Sequence, residues 1–118
     1  MKIKAKFKIE YSEEAIDFLN SLDMKAKRKI TYNIHKSMYV IDKDLFKKLD
    51  NSEIWEFRTL YNGIQYRLLS FWDTANEALV IATHGFIKKT QKTPIKEIRR
   101  AEEIRKMYFN RNNKAWKK

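Results

Sequence analysis

IWEFRTLYNGIQYRLLSFWDTANEALVIATHGFIKKTQKT, residues Ile54 to Thr93, reads as two consecutive β-hairpins. Asn62-Gly63 lies between runs rich in aromatic and branched residues, the strongest short-range hairpin signal. With Asn62 and Gly63 as the loop of a type I′ turn, counting pairs Tyr61 with Ile64, Thr59 with Tyr66, Arg58 with Arg67, Phe57 with Leu68 and Glu56 with Leu69. Directly opposed residues share a face. Trp55, Phe57, Thr59, Tyr66 and Leu68 make a core face, and Glu56, Arg58, Gln65 and Arg67 make the other. Two opposed arginines repel unless an anion sits between them. That anion is either Glu56, one pleat away, or a phosphate, whose geometry matches the guanidinium fork.

The second hairpin is tested against this register. Asp73-Thr74-Ala75-Asn76 reads as a four-residue loop, which sets Trp72 opposite Glu77, Arg67 opposite Ala82 and Gln65 opposite His84. His84 then joins the arginine face; an odd-length loop would flip the third strand and remove it.

Working outward, Lys2 to Ile9 alternates lysine with Ile3, Ala5, Phe7 and Ile9 and predicts a half-buried strand. Ser12 is an N-cap before a stripe of Ala15, Ile16, Phe18, Leu19 and Leu22. Asp23 caps a second helix with a stripe of Ala26, Ile30, Ile34, Met38 and Ile41. The two helices should form a hairpin on one sheet face, with His35 at the surface. Asp42 to Ser52 reads as irregular, with an apolar knot at Leu45, Phe46 and Leu49 and with Lys47 and Lys48 at the cleft edge or in solvent. Thr93 caps a third helix with Pro94 at its first position and a thin stripe of Ile95, Ile98, Ala101, Ile104 and Tyr108. Residues 110–118 should fray as a basic tail, Trp116 hinting at a docking contact.

One domain spanning residues 1–118 is expected, of class α+β, with an antiparallel sheet of about four strands, the helical hairpin on one face and a basic C-terminal helix. The absence of cysteine excludes disulfides and thiolate metal sites, and two histidines this far apart give no zinc spacing, so neither metal nor cofactor is expected. The N-terminus has no apolar run of a signal peptide and no span suits a membrane, so a cytoplasmic protein without a membrane partner is expected. Net charge is +11, and it is uneven: residues 1–87 hold 14 basic and 12 acidic side chains, residues 88–118 hold 12 and 3. Such a gradient points to a polyanion, or to a solvated basic helix.

The motif Trp55-Glu56-Phe57-Arg58, then Tyr61-Asn62-Gly63 to Tyr66-Arg67, Phe71-Trp72-Asp73 and His84-Gly85-Phe86 to Thr93-Pro94, resembles the phage-derived Gp49-like, HigB-type branch of the RelE/ParE toxin superfamily. The resemblance implies a RelE-like fold and the toxin of a type II toxin–antitoxin system. It implies a ribosome-dependent mRNA endoribonuclease that stops translation by metal-independent cleavage. It also implies a cognate antitoxin, HigA-like with a helix-turn-helix, through which alone operator DNA would be contacted. Position by position, Arg67 matches the superfamily's phosphate-clamping arginine and Arg58 a second basic position. Glu56 matches a glutamate proposed as base, and Lys88 and Lys89 match basic positions after the last strand. His84 is the natural acid or base near neutral pH. Where many relatives place a tyrosine or histidine, this chain has Phe86, which stacks on a base but transfers no proton. Gln65, Lys47, Lys48, Lys89, Lys92 and Lys96 are RNA-positioning candidates, or solvated charges. Two other readings stay open: a ParE-like inhibitor of DNA gyrase, and a non-enzymatic basic module binding nucleic acid or an acidic partner through residues 88–118.

Overall fold

The structure, a computed structural model, describes residues 3–113, with only the backbone of residues 112 and 113. The described residues form β1 (Lys8–Tyr11), α1 (Glu13–Asn20), α2 (Met24–Ser37), β2 (Phe46–Lys48), β3 (Trp55–Tyr61), β4 (Ile64–Asp73), β5 (Leu79–Lys88) and α3 (Ile95–Asn113). The strands make one sheet in the order β1-β5-β4-β3-β2, antiparallel except for β1 beside β5. It has five strands rather than about four, because Phe46–Lys48 inside the expected irregular segment pairs with Trp55–Phe57.

The first hairpin has the expected register from Trp55–Ser70 to Tyr61–Ile64. Asn62 and Gly63 have φ of 52° and 77°, the two positive values a type I′ turn requires. The second hairpin differs twice. Its connection is five residues, 74–78, between the partners Asp73 and Leu79, and Ala78 adopts φ 54°. That odd count alone would turn His84 away from the arginines. A β-bulge reverses it: Leu69 faces His84 whereas Ser70 faces Ala82, so Thr83 is the extra residue. The Thr83 hydroxyl donates to the Leu69 carbonyl at 3.2 Å, and its own carbonyl accepts from the Ser12 hydroxyl at 2.5 Å. The bulge is therefore satisfied from both sides. The expected pairs Trp72–Glu77, Arg67–Ala82 and Gln65–His84 are replaced by Trp72–Val80, Arg67–Phe86 and Gln65–Lys88.

On one face, Ala15 and Leu19 of α1 and Ala26, Ile30 and Ile34 of α2 pack on Phe57, Tyr66, Leu68, Val80 and Ala82. Ser12 and Asp23 cap the helices as expected, accepting from the amides of Ala15 and Ala26. Gly85 lies under Phe18, whose ring occupies the space a Cβ would need. The expected strand from Lys2 to Ile9 is confined to Lys8–Tyr11, since the Lys6 amide bonds instead to the Met38 carbonyl at 2.7 Å. Phe7 is buried among Phe46, Phe57 and Trp72, whereas Ile3 is exposed and Lys2 lies outside the described residues. The α2 stripe stops at Met38 because the helix ends at Ser37, leaving Ile41 84% exposed. His35 is exposed, as expected.

On the other face, Ile98, Ala101, Tyr108 and Phe109 of α3 pack over Ile54, Leu69, Phe71 and Ile81. Ile95 does not join them and is 66% exposed. The Tyr108 hydroxyl donates to Asp73 Oδ2 at 2.5 Å and ties the helix to the second hairpin. Residues 110–113, expected to fray, continue α3; 114–118, with Trp116, lie outside the described residues. Among the described residues no helix covers the half of this face that carries Arg58, Gln65 and Lys88.

Candidate functional site

The register sets three rows across the face that α3 half covers. They run Lys47, Glu56, Leu69, His84; then Arg58, Arg67, Phe86; then Leu60, Gln65, Lys88. Both arginines do share one side of the sheet, and the anion between them is Glu56. Its carboxylate, 2% exposed, lies 3.5 Å from Arg58 Nε through Oε2 and 3.6 Å from Arg67 Nε through Oε1. Oε1 also accepts the Thr93 hydroxyl at 2.8 Å. Thr93 was expected to cap α3, yet its hydroxyl serves Glu56. The carbonyl of Pro94 accepts the helix's first amides, from Glu97 and Ile98. An unmade side-chain cap costs about 1 kcal/mol; a hydrogen bond to an ionised group contributes about 1.5–3 kcal/mol.

The two guanidinium groups are not equivalent. Arg67 is 3% exposed, donating from Nη1 to the Tyr66 carbonyl at 3.1 Å and from Nη2 to Gln65 Oε1 at 2.7 Å. Burial draws its pKa below the ordinary arginine value; nearby Glu56 opposes this and Arg58 adds to it. The group stays charged. Arg58 is partly exposed and reaches the Lys43 carbonyl at 3.4 Å. The expectation of two guanidinium groups lying open to a phosphate is met at Arg58 and not at Arg67, which forms the floor beneath.

His84 is on the arginine face but beyond Leu69, and it is 7% exposed. Nδ1 lies 3.2 Å from the Thr83 hydroxyl and Nε2 lies 3.0 Å from Glu97 Oε1. Both ring nitrogens are engaged inside the protein. Phe86 is partly buried, packed against the α3 core, and lies opposite Arg67 on the same face.

Lys88 is half-buried opposite Gln65, and no carboxylate among the described residues lies within ion-pair distance of it. Its pKa is drawn below the ordinary lysine value, first by burial, then by the charge of Arg67, with Arg58 and Lys47 adding and Glu56 opposing. Arg58, Gln65, Lys88, Lys89, Thr90 and Gln91 line an open depression of about 410 Å³ that contains no acidic side chain. A smaller one of about 190 Å³ adjoins it at Arg58 and Gln65, bordered also by Asp44, Leu60 and Arg67. Lys47 faces Glu56, so it stands beside the cluster. Lys48 points to the opposite side, 4.0 Å from Glu53, because neighbouring residues of a strand alternate faces. Lys92 and Lys96 are exposed and line neither depression.

The structure thus gathers Arg58, Gln65, Lys88 and Lys89 at an open cationic surface, with Arg67 and Glu56 as its support. Such a surface has the charge and the hydrogen-bond donors that a phosphodiester requires. Sequence reading missed Asp44, Thr90, Gln91, Thr93 as a site residue and Glu97. Only Thr93 had a local signal, and Thr-Pro read as a helix start. A second groove, between β1, the start of α1 and α3, has a mainly apolar lining. Its Arg100 is paired with Glu14 and Glu103, so this cation is already neutralised.

Among the described residues no helix is long and apolar enough to cross a membrane. The family described as phage-derived protein Gp49-like (DUF891) has a sequence model that matches residues 17–106. Among curated proteins no significant match was found. The fold is similar to that of a double mutant of the E. coli toxin RelE in the free state, with TM-score 0.57 and 14% identity over 84% of this chain and 96% of that one.

Proposed function

Because the chain belongs to the phage-derived Gp49-like family, a family of RelE/HigB-type toxins, we propose that it is the toxin of a type II toxin–antitoxin pair that cleaves mRNA on the ribosome. The observation that carries this reading is the acid-free depression where Arg58, Lys88 and Lys89 converge above a buried arginine.

In this reading a messenger phosphodiester lies across the depression, its non-bridging oxygens on Arg58 and Lys89. The 2′-hydroxyl oxygen attacks phosphorus, the bond to the 5′-oxygen breaks, and a 2′,3′-cyclic phosphate and a free 5′-hydroxyl result. Lys88 gives its proton to the departing 5′-oxygen. A pKa drawn below the ordinary lysine value by burial and by the charge of Arg67 makes the amine a better proton donor. Arg67 adds positive charge from below without touching RNA, where a low dielectric strengthens its field.

Glu56 and His84, both considered as bases, are held by internal partners. The carboxylate at hand is Asp44, at the rim of the adjoining depression, and it takes the 2′-hydroxyl proton. A surface this open cannot orient a flexible strand by itself. The ribosome supplies that orientation, and free RNA is a poor substrate. The partners are an antitoxin of helix-turn-helix type, through which operator DNA is contacted, and mRNA in the cytoplasm.

Primer extension on mRNA from translating ribosomes tests the proposal. Wild-type protein is expected to produce discrete cuts, absent on naked RNA and absent with Arg58→Ala. Intact mRNA combined with trapped gyrase cleavage complexes would replace this reading with the gyrase one. Asp44→Asn is expected to slow cleavage while leaving ribosome binding unchanged.

A further inference from the structure

We propose that Thr93 is a positioning residue for the cationic site: its hydroxyl holds the Glu56 carboxylate between Arg67 and Arg58 and so sets where both guanidinium groups point. The inference rests on the RNA-cleaving reading for its consequence in catalysis, but not for its geometry.

Three observations support it. Glu56 has two carboxylate oxygens and three claimants: Arg58 at Oε2, and Arg67 with Thr93 at Oε1. Both arginine contacts run through Nε at 3.5–3.6 Å, and neither Nε has a hydrogen-bond partner among the described residues. Thr93 at 2.8 Å is thus the short, directional hydrogen bond to this carboxylate. Without it, the carboxylate is free to rotate about its terminal torsion, which is broad and roughly two-fold. Finally, Thr93 stands where its hydroxyl could cap α3, and its bond goes to Glu56 instead. The start of α3 and the arginine pair are therefore mechanically linked.

The hydroxyl is removed without a change of shape by Thr93→Val and retained by Thr93→Ser. The arginine Nε–H signals of Arg58 and Arg67 are followed by NMR in the whole chain, alongside cleavage of mRNA on translating ribosomes. In Thr93→Val the Arg67 signal is expected to shift and broaden while circular dichroism stays unchanged. Cleavage kcat should fall on the order of tenfold with KM unaltered, the signature of misaligned groups. Thr93→Ser should restore both. Tyr108→Phe, which loosens α3 at its other end by removing the bond to Asp73, should leave the arginine signals in place. Unchanged signals in Thr93→Val, or the same shift in Tyr108→Phe, would overturn the positioning role. If the wild type cuts no mRNA, the functional reading fails, and the arginine signals still decide this inference.

Discussion

Lys88 holds its charge against the fold. Its amine is partly desolvated and feels the charge of Arg67, and its depressed pKa means the folded state disfavours the protonated form. An unfolded chain then binds more protons than the folded one between the depressed value and the ordinary lysine pKa near 10.4. Stability therefore rises as pH climbs through that window, and the penalty is fully present below it. Replacing Lys88 with Met should raise Tm at pH 7 in a thermal melt and abolish cleavage, a trade often seen at functional sites. Lys88→Arg keeps the charge but gives up a proton far less readily than lysine. It should retain RNA binding while cleavage falls steeply. Glu56 is the counter-ion of the buried Arg67. Removing it leaves a buried guanidinium without its counter-ion, which costs about 3–5 kcal/mol for a fully buried pair and less here because Arg58 is partly solvated. Loss of activity in Glu56→Ala thus reports on folding before it reports on chemistry, and urea denaturation beside the activity assay separates the two.

At the level of elements, the second hairpin decides which residues meet. Against the expected pairs the five-residue connection shifts β5 by three residues and the Thr83 bulge by one more, and the even total keeps His84 on the arginine side and brings Lys88 opposite Gln65. The Asn-Gly turn was legible because its two positive φ angles have a strong residue preference. The bulge was not, because it depends on the Leu69 carbonyl and on Ser12 from α1, 71 residues away. Gly85 is a further case. It needs no unusual backbone, only room for the Phe18 ring. Gly85→Ala should cost about 1–3 kcal/mol by overpacking, read as a lower urea midpoint with an unchanged m-value. Phe18→Leu in the same chain should recover part of that loss.

For the whole molecule, the sheet carries two cores, one under α1 and α2 and one under α3, and the open cationic surface occupies the half-face that neither fills. Among the described residues, the excess charge of 88–111 divides between that half-face and the outer side of α3. If Arg58, Lys88 and Lys89 each neutralise one phosphate, single-stranded RNA should bind with a log–log salt slope of about −2. Neutralising Arg99 and Lys106, both exposed on α3, should leave that slope and the ribosomal cut positions unchanged. Cut positions lost with those two charges, and retained without Arg58, would favour the basic-module reading instead.

From its residues alone this chain specified the first hairpin, the caps at Ser12 and Asp23, the α+β class and the placing of two arginines on one face. Each of these follows from local backbone preference or from strict alternation along a strand. Tertiary structure decided which of those arginines meets solvent, and it assigned Thr93 and Glu97 to the site. It also committed Glu56 and His84 to internal partners. Burial and hydrogen-bond partnership across 13–37 residues of chain depend on how α3 settles over the sheet, and no local pattern encodes that docking.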